Sequence, residues 1–482
     1  MKKGNEPIVR LAALKIHQYK NVIDGEIQLV NANPQKYRAN ILGLYGQNGS
    51  GKTALIQAVH LLQFTLSGTA IPIDFASCIN VEAACASFEF VFDIQVGDEA
   101  YKAFYTFSIR QEKQAADQIE SWPIDQETDK VILFDECLSY AYQNEAGQKI
   151  NKSRLIDMRQ TRPDYPFVPV TKYKNFFGNG NEIKTDLMVA KKMALQTARS
   201  FIFSSEFFDQ LKQQTEQKQT DLEFKRHYQL LSCLRHYGLT NLFVIETTNS
   251  GAITFNTLPI RYKKGNYIQG EVGRYMVPMD HPVVLPDEEL KRFSFVINNM
   301  NIVLQQIVPG LIIGIKDLGP ELLKDGESGH RIELTSKKNE KEIPLKNESE
   351  GIIKIISILE LLIRVYNDPS TTVAIDELDS GIFEYLLGEV LKIISEKGKG
   401  QLIFTSHNLR PLETLDWSFV AFTTTNPHKR FIRPSGIKQN NNLRHSYYRD
   451  ITLGGGKEEL YAPTNNAEIA FAFREAGEID GQ

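Results

Sequence analysis

Gly46-Gln47-Asn48-Gly49-Ser50-Gly51-Lys52-Thr53 fits the pattern G-x-x-x-x-G-K-[ST]. The apolar run Ile41-Leu42-Gly43-Leu44-Tyr45 stands immediately before it, and apolar residues at helical spacing follow. Glycines let a backbone wrap closely and turn its N–H groups toward phosphate oxygens. A helix starting near Lys52 adds the positive end of its dipole. The chemistry expected of the segment is a cradle for ATP with Mg²⁺. In it, the Lys52 ammonium reaches the β- and γ-phosphates and the Thr53 hydroxyl ligates magnesium.

Such a cradle needs a carboxylate at the end of a second strand to hold the metal. A hydrolytic version often adds another to orient or deprotonate the attacking water. Two stretches offer the pair: Val131-Ile132-Leu133-Phe134-Asp135-Glu136 and Val373-Ala374-Ile375-Asp376-Glu377. Hydrophobicity alone favours the first. Context favours the second, because Asp376-Glu377 leads into Leu378-Asp379-Ser380, a helix, and a strand ending at Thr405-Ser406-His407-Asn408. That is the serial order of a doubly wound core. Asp376 is therefore expected to hold magnesium and Glu377 to act as general base. Asp135-Glu136 is expected to be a strand followed by solvated acids.

Glu348-Ser349-Glu350-Gly351 opens a helix about 25 residues before Asp376. Alone, such a segment is a helix cap. Between a phosphate cradle and distal carboxylates it gains another use: Ser349 and the free N–H groups of the helix start can bind a γ-phosphate presented by another subunit. His407, just past an apolar strand, is placed to contact the same phosphate.

The elements that must position these groups are short and mostly legible. Strands are expected over Ile8–Ile16, Gly25–Val30 and Ile41–Tyr45, with a polar turn over Gln18–Asp24. A helix is expected from Lys52 to about Leu66, and a hairpin over Ser87–Val96 and Tyr101–Arg110. Residues 111–285 are richer in Gln, Lys, Asp and Glu. There, helical spacing covers Asp186–Gln213 and Asp221–Tyr237, Phe176–Asn181 looks like a loop, and strand-like runs cover Leu242–Thr247 and Ala252–Pro259. Asp287 opens a helix running to Val308, where Pro309-Gly310 stops it. Beyond it the pattern is again α/β, with strands over Arg331–Ser336, Thr372–Ile375, Gln401–Thr405 and Phe419–Phe422. Helices are expected between them over Gly351–Tyr366 and Ile382–Ser395. The division expected is 1–110 for an amino-terminal half with the cradle and a β subdomain, 111–285 for a partly helical insertion, and 286–482 for a carboxyl-terminal half. No heptad pattern persists and no repeat is visible; the Asn440-Asn441-Asn442 triplet looks like a loop.

With 482 residues, 42% hydrophobic and 24% charged, the chain has material for a large globular core. A net charge of −4 gives no global argument for nucleic acid, although a local basic patch could still bind it. Cys78, Cys85, Cys137 and Cys233 form no C-x-x-C pair, so reduced thiols are expected rather than a zinc or redox site. Met1-Lys2-Lys3 is followed by Gly4-Asn5-Glu6-Pro7, which is not the apolar core of a signal peptide. No run approaches the roughly 18 apolar residues of a membrane span. A cytoplasmic location is expected.

The order Gly46–Thr53, Ser349-Glu350-Gly351, Asp376-Glu377, Asp379, His407 resembles the ABC-type ATPase heads of SMC-like, RecF-like and overcoming-lysogenisation-defect proteins. It looks most like the bacterial AAA family ATPases of anti-phage systems, such as the ATPase subunits of Septu- and PARIS-type defence. Lys20-Asn21-Val22 with Gly25-Glu26-Ile27 looks like that group too, as does Arg449–Leu453 with Gly454-Gly455-Gly456-Lys457-Glu458-Glu459. The likeness covers roughly 1–110 and 330–460. It implies an α/β fold with an antiparallel β subdomain. It also implies a head-to-tail homodimer, or higher homo-oligomer, with ATP between the cradle of one copy and Ser349–Gly351 of the other. Asp379 would then lie in the loop across the interface, and His407 would be the switch histidine. Glu348-Ser349-Glu350-Gly351 stands where transporters carry L-S-G-G. The family's Q-loop glutamine has Gln95 and Gln196 as candidates. About 75 residues follow His407, too few for a TOPRIM nuclease domain, so a separate effector, nuclease or toxin, is expected. A DNA-repair or DNA-clamping ATPase is the alternative. The acidic balance, the missing C-x-x-C hook and the missing coiled coil speak against it. A transporter ATPase fits least.

Overall fold

The computed structural model describes residues 6–31, 35–113, 129–160, 162, 164–218, 220–246, 257–264, 271–323, 326, 328–434, 443–453 and 458–478. The chain begins with β1 (Ile8–Tyr19), β2 (Val22–Gln28), β3 (Asn40–Tyr45), α1 (Lys52–Ser67), β4 (Ala86–Val96), β5 (Glu99–Lys113), β6 (Asp129–Asn144) and β7 (Lys149–Asp157). Then come α2 (Val170–Phe177), α3 (Asn181–Gln196), α4 (Ser205–Gln217), α5 (Leu222–Thr240), β8 (Leu242–Ile245), β9 (Thr257–Lys264), β10 (Glu271–Pro278), β11 (Val283–Pro286) and α6 (Asp287–Ile307). The remainder forms β12 (Leu311–Leu322), β13 (Ser328–Lys338), β14 (Lys341–Pro344), α7 (Glu350–Asn367), β15 (Thr372–Ile375), α8 (Glu384–Lys397), β16 (Gln401–Thr405), α9 (Pro411–Thr414), β17 (Val420–Thr423), β18 (Phe431–Ile432), α10 (Leu443–Leu453) and α11 (Asn466–Glu478).

The central sheet has the order β18-β17-β3-β16-β15-β8, parallel except for the edge strand β18. Its inner strands are short apolar runs with every residue buried, as a sheet covered on both faces requires. Alternate residues divide cleanly between two cores. Leu42, Leu44, Ala374 and Ile403 pack with α1, whereas Ile41, Tyr45, Val373, Ile375 and Phe404 pack with α7 and α8. Because β16 lies between β3 and β15, the loops after all three strands open at one edge of the sheet. There the site is built.

Over α1 lies an antiparallel sheet of order β2-β1-β4-β5-β6-β7. Phe88, Phe90 and Phe92 alternate inward along β4, and α1 is buried on nearly all sides between the two sheets. A third core joins α6 to the β11-β13-β12 sheet and to Ile356 and Leu359 of α7. The fold is thus the α/β head with an antiparallel β subdomain that the motif order implied.

The stretch 111–285 is shared among these layers. β6 and β7 extend the antiparallel sheet, α5 packs on α1, and β8 is an edge strand of the central sheet. Residue 110 falls inside β5. A run such as Leu242-Phe243-Val244-Ile245 reads alike as a strand of an insertion or of the main core, so the sequence pattern cannot allot it. The helical spacing over 186–213 divides into α3 and α4, separated by the buried Phe201-Ile202-Phe203 and restarted at Ser204, which accepts from Phe207 N–H. Residues 252–256, 440–442 and 454–457 lie outside the described residues. Among the described residues no helix is long and apolar enough to cross a membrane.

Candidate nucleotide site

Gly46–Thr53 forms the loop between β3 and α1. Gly46, Gly49 and Gly51 take φ of +157°, +74° and +91°. At Gly46 any side chain would run into Thr423 Oγ1 of β17, so close packing as well as backbone angle requires glycine there. Ser50 Oγ donates to Gln47 O at 2.6 Å and lies 2.5 Å from Thr423 Oγ1. Lys52 Nζ is folded onto the loop, donating to Gly46 O at 2.8 Å and Gln47 O at 3.0 Å. Burial lowers its pKa, opposed by the charges of Asp376, Glu377 and Asp379. Gln47 Oε1 accepts from Ala462 N–H at 3.0 Å, so the carboxyl-terminal segment crosses the loop.

The acids arrive from β15. Asp376 is almost fully buried, and its Oδ1 accepts from Thr405 Oγ1 at 2.5 Å. Thr405 Oγ1 in turn accepts from Glu377 N–H at 2.8 Å. One hydroxyl at the end of β16 therefore fixes both consecutive acids. Glu377 sits at φ +48°, a strained conformation for a residue with a side chain that persists only where its surroundings hold it. A second clamp holds it: Lys354 Nζ, from the buried face of α7, donates to Glu377 O at 2.6 Å. Burial lowers the Lys354 pKa to about 8, and Asp379, Glu377 and Asp376 oppose that shift. Asp379 Oδ2 accepts from His407 N–H at 3.1 Å and Asn408 N–H at 2.9 Å, tying the loop after β15 to the loop after β16.

These groups meet around one cavity of about 700 Å³. Asn48, Gly49, Gly51, Lys52, Thr53, Asp376, Glu377, Asp379 and His407 line it, together with Lys20, Asn21, Ser380 and Thr405. Asn21 Oδ1 and Asp379 Oδ1 are buried acceptors with no hydrogen-bond partner among the described residues. Such orphans at a cavity wall suit donors brought by a ligand or its water shell. Thr53 and Asp376 offer hard oxygen ligands, the donor type magnesium takes alongside phosphate oxygens and water.

Ser349 and Gly351 do not line the cavity. Ser349 is exposed at the amino end of α7 and makes no side-chain capping bond, so its hydroxyl is not spent on the helix. Gly351 packs directly on Gly381 O, leaving no room for a Cβ. Asp135 and Glu136 lie in β6 of the antiparallel sheet, away from the cavity. Contrary to expectation, Glu136 is not solvated. It is buried, accepting from Tyr105 Oη at 2.6 Å, Phe201 N–H at 3.0 Å and the Ser200 hydroxyl. The left-handed Asp135, φ +54°, turns Glu136 inward, a local bend that strand periodicity does not reveal. Gln95 donates to Gly97 O at its hairpin and Gln196 ends α3; neither lines the cavity.

Thr405, Lys354, Thr423 and the Lys20-Asn21 turn gain parts in the site that the sequence did not assign them. Threonine at a buried strand end is ordinary; a lysine amid the apolar Ile352–Ile363 run is the signal for Lys354, and Lys20-Asn21-Val22 stood out only by its likeness to the family.

The fold and this cavity define a P-loop ATPase of the ABC/AAA group. Within it, the chain belongs to the family described as "AAA domain, putative AbiEii toxin, Type IV TA system", whose model matches residues 173–413, half of the sequence. That span includes Ser349, Asp376-Glu377 and His407. No curated protein matches the chain. Among solved structures it is similar to an Smc head bound to the C-winged helix domain of ScpA, at 11% identity and TM-score 0.37, covering 88% of this chain and 97% of that one. It is also similar to the SMC head domain from Thermotoga maritima, at 13% identity and TM-score 0.32, covering 88% and 99%. The recombination mediator RecF-ATPrS matches at 9% identity and TM-score 0.35, covering 88% and 98%.

Proposed function

We propose that the chain binds and hydrolyses ATP·Mg²⁺ as a homodimer and serves as sensor and scaffold of an anti-phage system, controlling a separate effector such as a nuclease or toxin. The observation that carries the first part is the one-sidedness of the site. Cradle, acids and histidine converge on a single open cavity, while Ser349 and the α7 amino end stand outside it with unused hydrogen-bonding capacity. A triphosphate seated on Gly46–Thr53 is then closed by Ser349–Gly351 of a second copy.

In that complex Lys52 leaves the loop carbonyls for the β- and γ-phosphates, and Thr53 and Asp376 hold magnesium. Glu377 takes the proton of the attacking water, and His407 contacts the γ-phosphate. Magnesium supplies charge neutralisation to the phosphates. Asp379 ties the His407 loop to the interface loop, so closure of the dimer is felt at both. The family description, which reads "putative AbiEii toxin, Type IV TA system", supports a place in a toxin-bearing system of more than one component.

Two measurements test this. Purified with the products of neighbouring genes in a phage-sensitive host, the chain is expected to retain one of them and to protect the host, with Lys52→Ala abolishing protection. If the chain retains none and instead binds duplex DNA with a steep salt dependence, the DNA-clamping alternative replaces the defence role.

A further inference from the structure

Among the described residues, two apolar surfaces lack cover. The first is α11, every described residue of which is exposed, including Phe471 at 66% and Phe473 at 78%. Ile469, Ala472, Phe473 and Ala476 recur at i, i+3, i+4 and i+7, the spacing of a helix face that packs against something. The second is a groove of about 510 Å³ between α6, α7 and α8, walled by Val303, Ile307, Leu362, Ile363, Val390 and Ile393. Ile393 is 51% exposed on its rim. A helix face and an apolar groove of this kind are complementary in chemistry.

Their positions in the chain join them. Ala462 is bonded to Gln47 of the phosphate loop, and α11 starts four residues later. Those four residues reach about 13 Å extended, and the 13 residues of α11 add about 20 Å. In the composite dimer the phosphate loop of one copy faces Ser349 of the other. From Ser349 the groove begins at Leu359, about 15 Å along α7, and ends near Asn367, about 27 Å along. The tail of one copy thus has the reach to lay its apolar face in the groove of the other.

We infer that α11 is a clasp, docking into the α6–α7–α8 groove of a second copy when ATP joins the two heads. This rests on the dimer proposed above. It adds a second interface, and because the tail is tethered to Gln47, docking and occupation of the phosphate loop are linked.

The test uses the full chain carrying Glu377→Gln, with ATP and magnesium, in sedimentation and in cross-linking. Phe473→Asp and Ile393→Asp, both at exposed positions, are each expected to weaken dimerisation about ten- to a hundredfold. Chains with Phe473→Cys mixed with chains bearing Ile393→Cys, and treated with diamide as the two-electron oxidant, are expected to give an ATP-dependent disulfide-linked pair. The unsubstituted background controls for Cys78 and Cys85. If a dimer forms but the mixed chains do not cross-link, the clasp is refuted and the dimer stands. A double variant that closes within one chain refutes it as well, by placing α11 in its own groove. Loss of a bound effector rather than of the dimer in Phe473→Asp assigns the helix to that partner and equally refutes the clasp. Absence of any ATP-dependent dimer removes both proposals together.

Discussion

Lys354 offers a perturbation whose size and sign follow from the geometry. Its ammonium is nearly buried on α7 and donates at 2.6 Å to the carbonyl of Glu377, a residue held at φ +48°. A hydrogen bond from a charged donor is worth about 1.5–3 kcal/mol. If that hold is required when Glu377 takes the proton from water, Lys354→Met lowers kcat about ten- to a hundredfold. Methionine fills similar space, so the helix packing is preserved. The pH response gives a second readout. Burial depresses the Lys354 pKa to about 8, below the ordinary lysine value of 10.5. Between those pH values the unfolded chain therefore binds more protons than the folded one, and the parent gains stability with rising pH relative to Lys354→Met. Activity runs the other way: the parent loses a positive charge beside three carboxylates as pH passes 8, so its kcat falls there, while Lys354→Met shows no such step. Steady-state ATP hydrolysis between pH 6.5 and 9.5, with melting curves over the same range, checks both. Equal kcat and an unchanged pH profile in Lys354→Met would refute the role given to this lysine.

Further outcomes follow from neighbouring contacts. Thr405→Val removes the donor to Asp376 and the acceptor for Glu377 N–H, so hydrolysis should fall about tenfold or more with nucleotide affinity within a few-fold of the parent by fluorescent-ATP titration. Glu136→Ala strips a buried carboxylate from four donors and should cost about 2–4 kcal/mol of stability in urea unfolding, whereas Glu136→Gln should keep ATP turnover near the parent. Glu377→Gln, by contrast, should slow turnover about a hundredfold or more while nucleotide stays bound. If Glu377→Gln turns over normally and Glu136→Gln does not, the two acid pairs have been given each other's roles. Gly351→Ala places a methyl group against Gly381 O and should impair turnover without weakening nucleotide binding, measured by the same titration.

Much of this site is legible in the residues because its chemistry is local. Gly46–Thr53 announces itself by spacing, and Asp376-Glu377 by the strand–helix–strand order around it. Strands such as β3, β15 and β16 show as short continuous apolar runs because both their faces are covered. What escapes is whatever depends on long-range placement. Leu242–Ile245 could be allotted to the central sheet only once its neighbour β15 was known. Glu136 turns inward on a single left-handed residue, Asp135, and finds its donors 31 and 64 to 66 positions away. Thr405 and Lys354 become important through contacts with the Glu377 backbone and the Asp376 carboxylate just after β15, 23 to 29 positions distant. No periodicity encodes such contacts.

The account stands on one shared triphosphate, completed by residues of two copies, and complementation of two inactive variants tests it directly. Lys52→Ala disables the cradle and Ser349→Arg the closing helix, so each alone should be inactive. Mixed in equal amounts with ATP and magnesium, half of the dimers would contain one intact composite site, and hydrolysis should return to about a quarter of the parent rate. If the mixture stays as inactive as its components, or if Ser349→Arg alone hydrolyses ATP at the parent rate, the two halves of the site do not meet across copies.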